Sequence, residues 1–436
     1  MLQYNDAVTH DAAIIAEAYT YRHGHAPGPS DLMHFLFKRA AGNELVINQD
    51  GWTLQQVLED IASAPTNNPN PVPYPIPGEL EPPAGALQPL TIHDEMFHAG
   101  DAVWPWRMVT AFQLYKRYLD GEDLRPFLLW ARSTGANGVR VLGMAHNLFR
   151  LYPQEYGAFY QQGIAGFCQL VAAYGLYIEW VVFADAQHVM NSSNVQQYFL
   201  GQMAEQLSPH VNVVAELVNE HSQNGVIPTQ FGVPGGATLW SRGSDLSGKY
   251  PPYQAWNFVT YHSQRKDEWP RTAKDSHEIR DGVPTYMARH CPVVPNEMVG
   301  AGDSMKPWSR SNIPKDFYWY GATAQLMGAG ATFHFENGLY ANLPSPTQQR
   351  CAEAFFAGMT SVLPQTQKWH YTRGGLDDCP LEHNDSKALR TFAKIQGNQA
   401  EAIVIRPVPE WKAETRQGWR IVGQQGPRES RVSLTR

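Results

Sequence analysis

Eight short apolar segments, rich in β-branched and aromatic residues, alternate with stretches of helical periodicity between residues 90 and 363. The predicted strands are residues 106–112, 138–143, 176–184, 211–220, 237–241, 257–262, 292–297 and 331–336. Strands that alternate with helices pair in parallel, because each helix returns the chain to the same end of the sheet. Eight such units predict an α/β fold, the (β/α)8 TIM barrel. A doubly wound open sheet is the alternative, but it is usually marked by a Gly-rich phosphate loop after its first strand, and no such loop follows here.

The segments outside the barrel have a different character. Residues 1–63 contain two stretches of helical periodicity and predict a helical module. Residues 64–89 contain nine prolines and predict an extended linker, because proline fixes φ and lacks the N–H that helices and central strands need. The barrel is assigned to residues 90–372. Residues 373–436 resemble short strands between turns and predict a small C-terminal β appendage.

Charge and hydropathy exclude several classes of function. The formal net charge is −7 and there is no long Lys/Arg run, so neither a nucleic-acid tract nor a polybasic membrane patch is predicted. No apolar segment is long enough to span a bilayer. The N-terminal residues lack a basic segment followed by an apolar core, so no signal peptide is predicted, and a cytoplasmic, virion-associated or otherwise exported location stays open.

The four cysteines are widely separated in the sequence: Cys168, Cys291, Cys351 and Cys379. A zinc site needs clustered thiolates or imidazoles, so buried free thiols are the better interpretation. One long-range disulfide is the alternative.

Two glutamates stand at the ends of predicted strands on opposite sides of the ring. Glu220 closes the fourth strand and Glu297 closes the seventh. The C-terminal ends of barrel strands converge on one face, which holds the active site. Two carboxyl groups across a cleft are what glycosidic bond cleavage requires. Glu297 could instead cap a helix or pair with Arg310, and Glu336, at the end of the eighth strand, is the rival nucleophile.

The segments GANGVRVL, VVAELVNE and PVVPNE, in this order, resemble clan A glycoside hydrolases, in particular the family 5 cellulase- and mannanase-like enzymes. The resemblance implies Glu220 as the acid/base and Glu297 as the nucleophile of a retaining mechanism. It also implies a carbohydrate substrate and no cofactor or metal.

Further site residues follow from the same resemblance. It implies that Arg140 contacts the site and supports the catalytic carboxylates, with Glu216 as a supporting partner. It implies that Asn219 binds the sugar 2-hydroxyl and that His262 lies near the nucleophile. A purely structural Arg140–Glu216 ion pair is the alternative for those two residues.

The remaining substrate-binding candidates are aromatic or polar residues on or just after strand ends. Trp240 and Trp308 are candidates for stacking on a sugar face. On the eighth strand, where the family usually has a stacking Trp, this chain has His334 and Glu336.

These observations predict a retaining glycoside hydrolase that cleaves O-glycosidic bonds in an oligo- or polysaccharide. The alternative is a non-catalytic glycan-binding or structural barrel, such as a phage or cell-surface component. The N-terminal module is the candidate contact site for a protein partner.

Overall fold

The computed structural model describes residues 87–93, 95–243, 256–262, 291–298, 300–302, 309–326, 329–362, 370–372, 381–383, 390–405, 413–415, 418–425 and 431–436. All of them belong to one compact unit, Pro75–Arg436. The predicted helical module 1–63 and all but the last three residues of the predicted linker lie outside the described residues.

Eight parallel strands form the centre of this unit. They are β4 (Trp106–Thr110), β5 (Gly138–Leu142), β6 (Tyr177–Phe183), β7 (Val213–Val218), β8 (Leu239–Ser241), β9 (Val259–His262), β10 (Val293–Glu297) and β13 (Gly330–Phe333). Each lies within one of the predicted segments or, for β13, begins one residue before it.

The strands follow one another around a ring. Six form one parallel sheet in the order β13-β4-β5-β6-β7-β8, and β9 pairs in parallel with β10. A parallel bridge between Ser241 and Phe258 joins β8 to the start of β9. On the other side, the amide of Ala301 donates to the carbonyl of His334 at 2.9 Å, and the amide of Glu336 donates to Ala301 at 2.9 Å. The predicted (β/α)8 barrel is therefore confirmed.

The barrel strands are covered on both faces. Every residue of β5, β6 and β7 is buried, as expected for parallel strands between a helical layer and a packed interior. Arg140 on β5 pairs in register with Glu179 on β6. Glu216 on β7 pairs with Val181, which follows Glu179 on β6 by two residues. Three charged side chains on adjacent strands therefore lie deep in the protein.

Eight α-helices are described: α1 (Leu114–Leu119), α2 (Arg125–Thr134), α3 (His146–Phe149), α4 (Pro153–Tyr156), α5 (Ala158–Ala173), α6 (Ser193–Leu207), α7 (Pro314–Leu326) and α8 (Pro346–Ser361). Short 3₁₀ turns cover Ala186–His188, Pro228–Gln230 and Asn337–Tyr340. Helix α8 begins with a reciprocal capping box between Ser345 and Gln348, which satisfies two amide donors at its start. No helix among the described residues is long and apolar enough to cross a membrane.

A three-stranded antiparallel sheet closes the N-terminal end of the barrel. It consists of β1 (Leu90–His93), β2 (Met96–Ala99) and β3 (Ala102–Val103). Phe97 on β2 packs against Trp106 at the start of β4 and against Phe258, with ring centroids 5.3 Å apart in both cases. Because aromatic rings fill this end, the opposite end, where the strands terminate, is left for a site.

The C-terminal residues form mainly antiparallel strands, as predicted for the appendage. After β11 (Gly300–Ala301) and β12 (Ser309–Ser311) in the barrel loops, they are β14 (His370–Thr372), β15 (Leu381–His383), β16 (Arg390–Gln396), β17 (Gln399–Ile405), β18 (Ala413–Thr415), β19 (Arg420–Gln425) and β20 (Arg431–Thr435). Five of them form a sheet in the order β14-β16-β17-β20-β19. Ile403 on β17 is buried in the same hydrophobic cluster as the barrel core, so the sheet packs on the barrel.

Candidate active site

Glu220 and Glu297 meet at the C-terminal end of the barrel. Glu297 is the last residue of β10, and Glu220 follows β7 by two residues. One carboxylate oxygen of each and one ring nitrogen of His262 all lie within 4.8 Å of one another. The Glu297 side chain is 3% exposed and that of Glu220 is 18% exposed. The carboxyl group of Glu297 is thus enclosed, and that of Glu220 reaches solvent.

His262, the last residue of β9, lies between the two carboxyl groups. Its Nδ1 is 3.1 Å from Oε1 of Glu220, and its Nε2 is 3.5 Å from Oε1 of Glu297. The ring is fully buried and contacts both carboxyl groups. The predicted position beside Glu297 is observed, and substrate binding by His262 stays a prediction. Among the described residues, these three also form the one group spaced to hold a metal ion.

Arg140, on β5, is the centre of a buried polar cluster. Its Nη1 donates to Oε1 of Glu297 at 2.8 Å, and its Nη2 donates to Oε2 of Glu216 at 3.0 Å and to Oδ1 of Asn219 at 2.8 Å. The ring of Phe112 lies 5.2 Å from the guanidinium carbon. Arg140 is completely buried. Its expected supporting contact with the carboxylates is observed, and its contact with substrate stays a prediction.

A second layer of polar residues lies beneath Arg140. Nδ2 of Asn296 donates to Oε1 of Glu179 at 2.8 Å and to Oε2 of Glu216 at 2.7 Å. Nε of Arg140 is 3.3 Å from Oε2 of Glu216 and 3.4 Å from Oε2 of Glu179. The sequence reasoning missed Glu179 and Asn296. The available signal was a lone charged residue inside the apolar run LYIEWVVFA.

The electrostatics of this cluster follow from burial and from three acidic side chains around one cation. Burial alone would lower the pKa of Arg140, but the charges of Glu216, Glu179 and Glu297 outweigh it and hold the pKa above its ordinary value. Burial raises the pKa of Glu179 well above its ordinary range; Arg140 opposes this rise, and Glu216 adds to it. The guanidinium therefore stays charged, and Glu179 favours its protonated form.

The turn that carries Glu220 has an unusual backbone. Glu220 has φ of +45°, a region that non-glycine residues rarely adopt. The turn is held by Asn224, whose side chain donates to the carbonyl of Asn219 and accepts from the amide of Asp185 at 3.0 Å. The amide of Asn219 donates to the carbonyl of Phe183 at 2.9 Å. Strain of this kind persists where surrounding contacts determine the conformation, and it concentrates at functional sites.

Two further predicted substrate-binding residues are buried: the place of Trp240 in the core argues against stacking, and substrate binding by His334 stays a prediction. Trp240 is completely buried in the hydrophobic core of the barrel and its helices. The next residue, Ser241, contacts the neighbouring strand instead: its hydroxyl lies 2.7 Å from the hydroxyl of Thr260 on β9. His334 is 1% exposed, and its Nδ1 is 2.9 Å from the hydroxyl of Thr110.

Of the last two substrate-binding candidates, Glu336 belongs to the described residues and Trp308 does not. Glu336 is partly exposed at the barrel mouth, where it precedes the 3₁₀ turn Asn337–Tyr340. Trp308 lies outside the described residues.

Comparison with known proteins gives remote structural matches. No family model and no curated protein matches the chain. A glycoside hydrolase family 5 structure from Bacteroides vulgatus ATCC 8482 is 10% identical, with a TM-score of 0.49 over 79% of this chain and 92% of that chain. An endo-1,4-beta-mannanase from Eisenia fetida is 14% identical, with a TM-score of 0.44 over 62% and 96%. A glycoside hydrolase family 5 mannosidase from Rhizomucor miehei is 10% identical, with a TM-score of 0.44 over 64% and 99%.

Proposed function

We propose that this chain is a retaining glycoside hydrolase that cleaves O-glycosidic bonds in an oligo- or polysaccharide. The observation that carries the proposal is the approach of Glu220 and Glu297 to within 4.8 Å, oxygen to oxygen, at the open end of the barrel. Retaining enzymes hold their two carboxyl groups about 5–5.5 Å apart, whereas inverting enzymes hold them about 6.5–9.5 Å apart to admit a water molecule. The separation therefore supports direct attack by a carboxylate.

The first step forms one bond and breaks another. Glu297 attacks the anomeric carbon as a carboxylate, and the glycosidic C–O bond breaks while the Glu220 carboxyl gives its proton to the leaving oxygen. The product is a glycosyl ester of Glu297 and a free alcohol. In the second step Glu220, now ionised, takes a proton from water, whose oxygen attacks the same carbon and releases Glu297.

The contacts around the pair suit these roles. Glu297 accepts a hydrogen bond from Arg140 at 2.8 Å, which favours its ionised form. Glu220 keeps the greater exposure and lies on a polar turn, where a leaving group and then water can reach it. Asn219 is fixed by Arg140 through its Oδ1, so its Nδ2 is the group proposed to contact a sugar hydroxyl.

Replacement of each carboxyl group by an amide tests the proposal. Glu220→Gln and Glu297→Gln should each reduce turnover of a responsive substrate, from a panel of aryl glycosides and polysaccharides, by at least ~10²–10⁴-fold, because each loses a proton-transfer or nucleophilic group. Glu205→Gln, on the exposed face of α6, is the matched control and should retain wild-type turnover. Near-normal activity of Glu297→Gln would contradict the nucleophile assignment, and loss of activity in Glu336→Gln would favour the rival.

The stereochemical outcome tests the retaining mechanism separately. Proton NMR of the first-formed product should give the same anomer as the substrate, because two displacements restore the configuration. The opposite anomer would mean an inverting enzyme. A wild-type protein that binds oligosaccharides in calorimetry but turns over none of the panel would support the alternative of a non-catalytic glycan-binding barrel.

A further inference from the structure

The polar cluster below the catalytic pair contains more acid than its one cation can neutralise. Arg140 is within 3.4 Å of carboxylate oxygens from Glu179, Glu216 and Glu297, and none of the four side chains is more than 3% exposed. Three ionised carboxylates around one guanidinium would leave a net charge of −2 away from water. The other basic group nearby, the His262 ring, lies 3.5 Å from Glu297, and even a charge on it would leave an excess of acid. Unpaired charges of that kind are strongly disfavoured, so the cluster must take up a proton.

The hydrogen bonds identify which groups are ionised. Oε2 of Glu216 accepts from Nη2 and Nε of Arg140 and from Nδ2 of Asn296. Oε1 of Glu297 accepts from Nη1 of Arg140. Glu179, in contrast, accepts one neutral hydrogen bond, from Asn296 on Oε1, and its ion pair with Arg140 is the longest of the three at 3.4 Å. Glu216 and Glu297 are therefore held as anions, and Glu179 is the acid least compensated for a charge.

Two buried oxygens are consistent with this assignment. Within the described part of the chain, no N–H group donates to Oε2 of Glu179 or to Oε1 of Glu216. The two carboxyl groups are adjacent, because both approach Nε of Arg140, at 3.4 and 3.3 Å, and both accept from Nδ2 of Asn296, at 2.8 and 2.7 Å. A proton on one of them would supply the donor that these oxygens lack. A carboxylic acid that donates to a carboxylate makes a strong, charge-assisted hydrogen bond.

We infer that Glu179 is a protonated carboxylic acid that donates to Glu216 and serves as a positioning residue for the nucleophile. The neutral acid holds Glu216 against Nε and Nη2 of Arg140. The remaining edge of the guanidinium, Nη1, is then directed at Glu297. An ionised Glu179 would compete for the same cation and draw it away from Glu297. The role in turnover rests on the proposed function, but the proton and the geometry do not.

Two substitutions at Glu179 separate this role from simple packing. Glu179→Gln keeps an N–H donor for Glu216 and an oxygen acceptor for Asn296 without a titratable proton. Glu179→Leu fills the space but removes both groups. We expect kcat of Glu179→Gln to stay within about threefold of wild type with an unchanged acidic limb of the pH profile. We expect Glu179→Leu to lose at least about tenfold in kcat with little change in KM and a displaced acidic limb.

Infrared difference spectroscopy detects the proton without any activity. At pH 8, where ordinary carboxyl groups are ionised, the wild type should have a carbonyl stretch of a protonated carboxyl that Glu179→Gln lacks. Glu220→Gln is the matched control and should keep that band. Absence of the band in the wild type, or its persistence in Glu179→Gln, would overturn the inference.

Crystal structures of the two variants test the positioning role even if the wild type cleaves no glycoside. The 2.8 Å contact between Arg140 and Glu297 should persist in Glu179→Gln and lengthen or break in Glu179→Leu. An unchanged contact in Glu179→Leu would contradict positioning. A wild type with the infrared band and these geometries but no turnover would refute the hydrolase and leave the inference standing.

Discussion

At the scale of single residues, the candidate site depends on the guanidinium of Arg140, which contacts four residues from three other strands or their ends. It contacts Glu179, Glu216, Asn219 and Glu297, which are brought together from β6, β7 and β10. A guanidinium suits this position because it presents five donors in a planar fork, whereas a lysine presents one compact ammonium. The residue therefore links folding of the barrel interior to the position of the Glu297 carboxyl group.

Removal of this cation should destabilise the protein. Arg140→Met leaves buried carboxylates without a counter-charge, so the free energy of unfolding should fall by about 3–5 kcal/mol in urea titrations. Arg125→Met is the matched control, because Arg125 forms an exposed ion pair with Asp123 and its loss should change the free energy of unfolding by about 0–1 kcal/mol. Equal changes in the free energy of unfolding for the two substitutions would contradict the claim that Arg140 neutralises the buried carboxylates.

The proton on Glu179 predicts a pH dependence of stability. The ordinary pKa of a glutamic acid is 4.5, and burial raises the pKa of Glu179 well above it. Above pH 4.5 the folded protein therefore retains this proton, whereas the unfolded chain releases it. The folded state then binds more protons than the unfolded state, so the contribution of Glu179 to stability declines as pH rises from 4.5 toward its raised pKa in the folded protein.

Glu179→Gln removes that decline. Its free energy of unfolding relative to wild type should therefore increase between pH 5 and pH 8, by up to about 1.4 kcal/mol for each pH unit. Urea titrations at several pH values measure the difference, and Glu205→Gln on the exposed face of α6 is the control with a flat difference. A difference that does not change with pH for Glu179→Gln would mean that the folded protein holds no such proton.

At the scale of elements, the last two helices of the barrel approach each other closely through glycine. A Cβ at Gly321 on α7 would overlap the carbonyl oxygen of Phe355 on α8, and a Cβ at Gly358 on α8 would overlap the carbonyl oxygen of Tyr318 on α7. Backbone atoms cannot move aside as a flexible side chain can. The contact therefore requires glycine at both positions.

Gly321→Ala should consequently reduce the free energy of unfolding by about 1–3 kcal/mol, because it overpacks the interface of α7 and α8. The control is Gly201→Ala on α6, where the glycine is exposed and an added Cβ meets nothing within 4 Å. That substitution should stabilise the protein by roughly 0.5–1 kcal/mol, because alanine favours helix over glycine. Thermal unfolding monitored by circular dichroism measures the stability of both variants. We expect the unfolding temperature to fall for Gly321→Ala and to rise for Gly201→Ala.

At the scale of the whole molecule, the barrel and the C-terminal sheet share buried surface. Ile403 on β17 is 5% exposed and belongs to the cluster that contains Phe333 and Phe355 of the barrel. The other buried side chains of the sheet, such as Trp419 and Leu434, form a small cluster of their own. Among the residues whose burial the structure describes, Ile403 is therefore the side chain that joins the sheet to the barrel core.

The barrel and the C-terminal sheet should unfold together because of this shared core, and calorimetry should record one peak for the two. Ile403→Ala should weaken the contact and cost about 2–5 kcal/mol. Val422→Ala is the control, because Val422 is 61% exposed on the same sheet and its truncation should leave the transition unchanged. A separate early transition of the sheet in the wild type would mean that it folds independently of the barrel.

Much of the fold was predictable from the sequence because periodicity and strand order are local properties. The alternation of apolar segments with helical stretches determines parallel pairing, and eight repeats close a ring. The same reasoning places the last residues of β7 and β10 at one end, which is why Glu220 and Glu297 could be named as a pair. The sequence did not predict which side chains of a short strand point into the barrel and which point toward the helices. Trp240 lies on the three-residue strand β8, where both faces are buried, so no alternation of polar and apolar residues distinguishes them.

By itself, the sequence determined which elements form, their order around the barrel and which end of it carries acidic groups. Arg140 and Glu216 were expected as partners, but only the tertiary structure decided that Glu179 and Asn296 join them. Glu179 is far from the other three in the chain and looks like an isolated charged residue in an apolar strand. Their interaction depends on strand register and on distances of a few ångströms, which local patterns do not encode. Burial then determines which of these groups holds a proton, because the cost of a charge depends on every neighbour that the fold supplies.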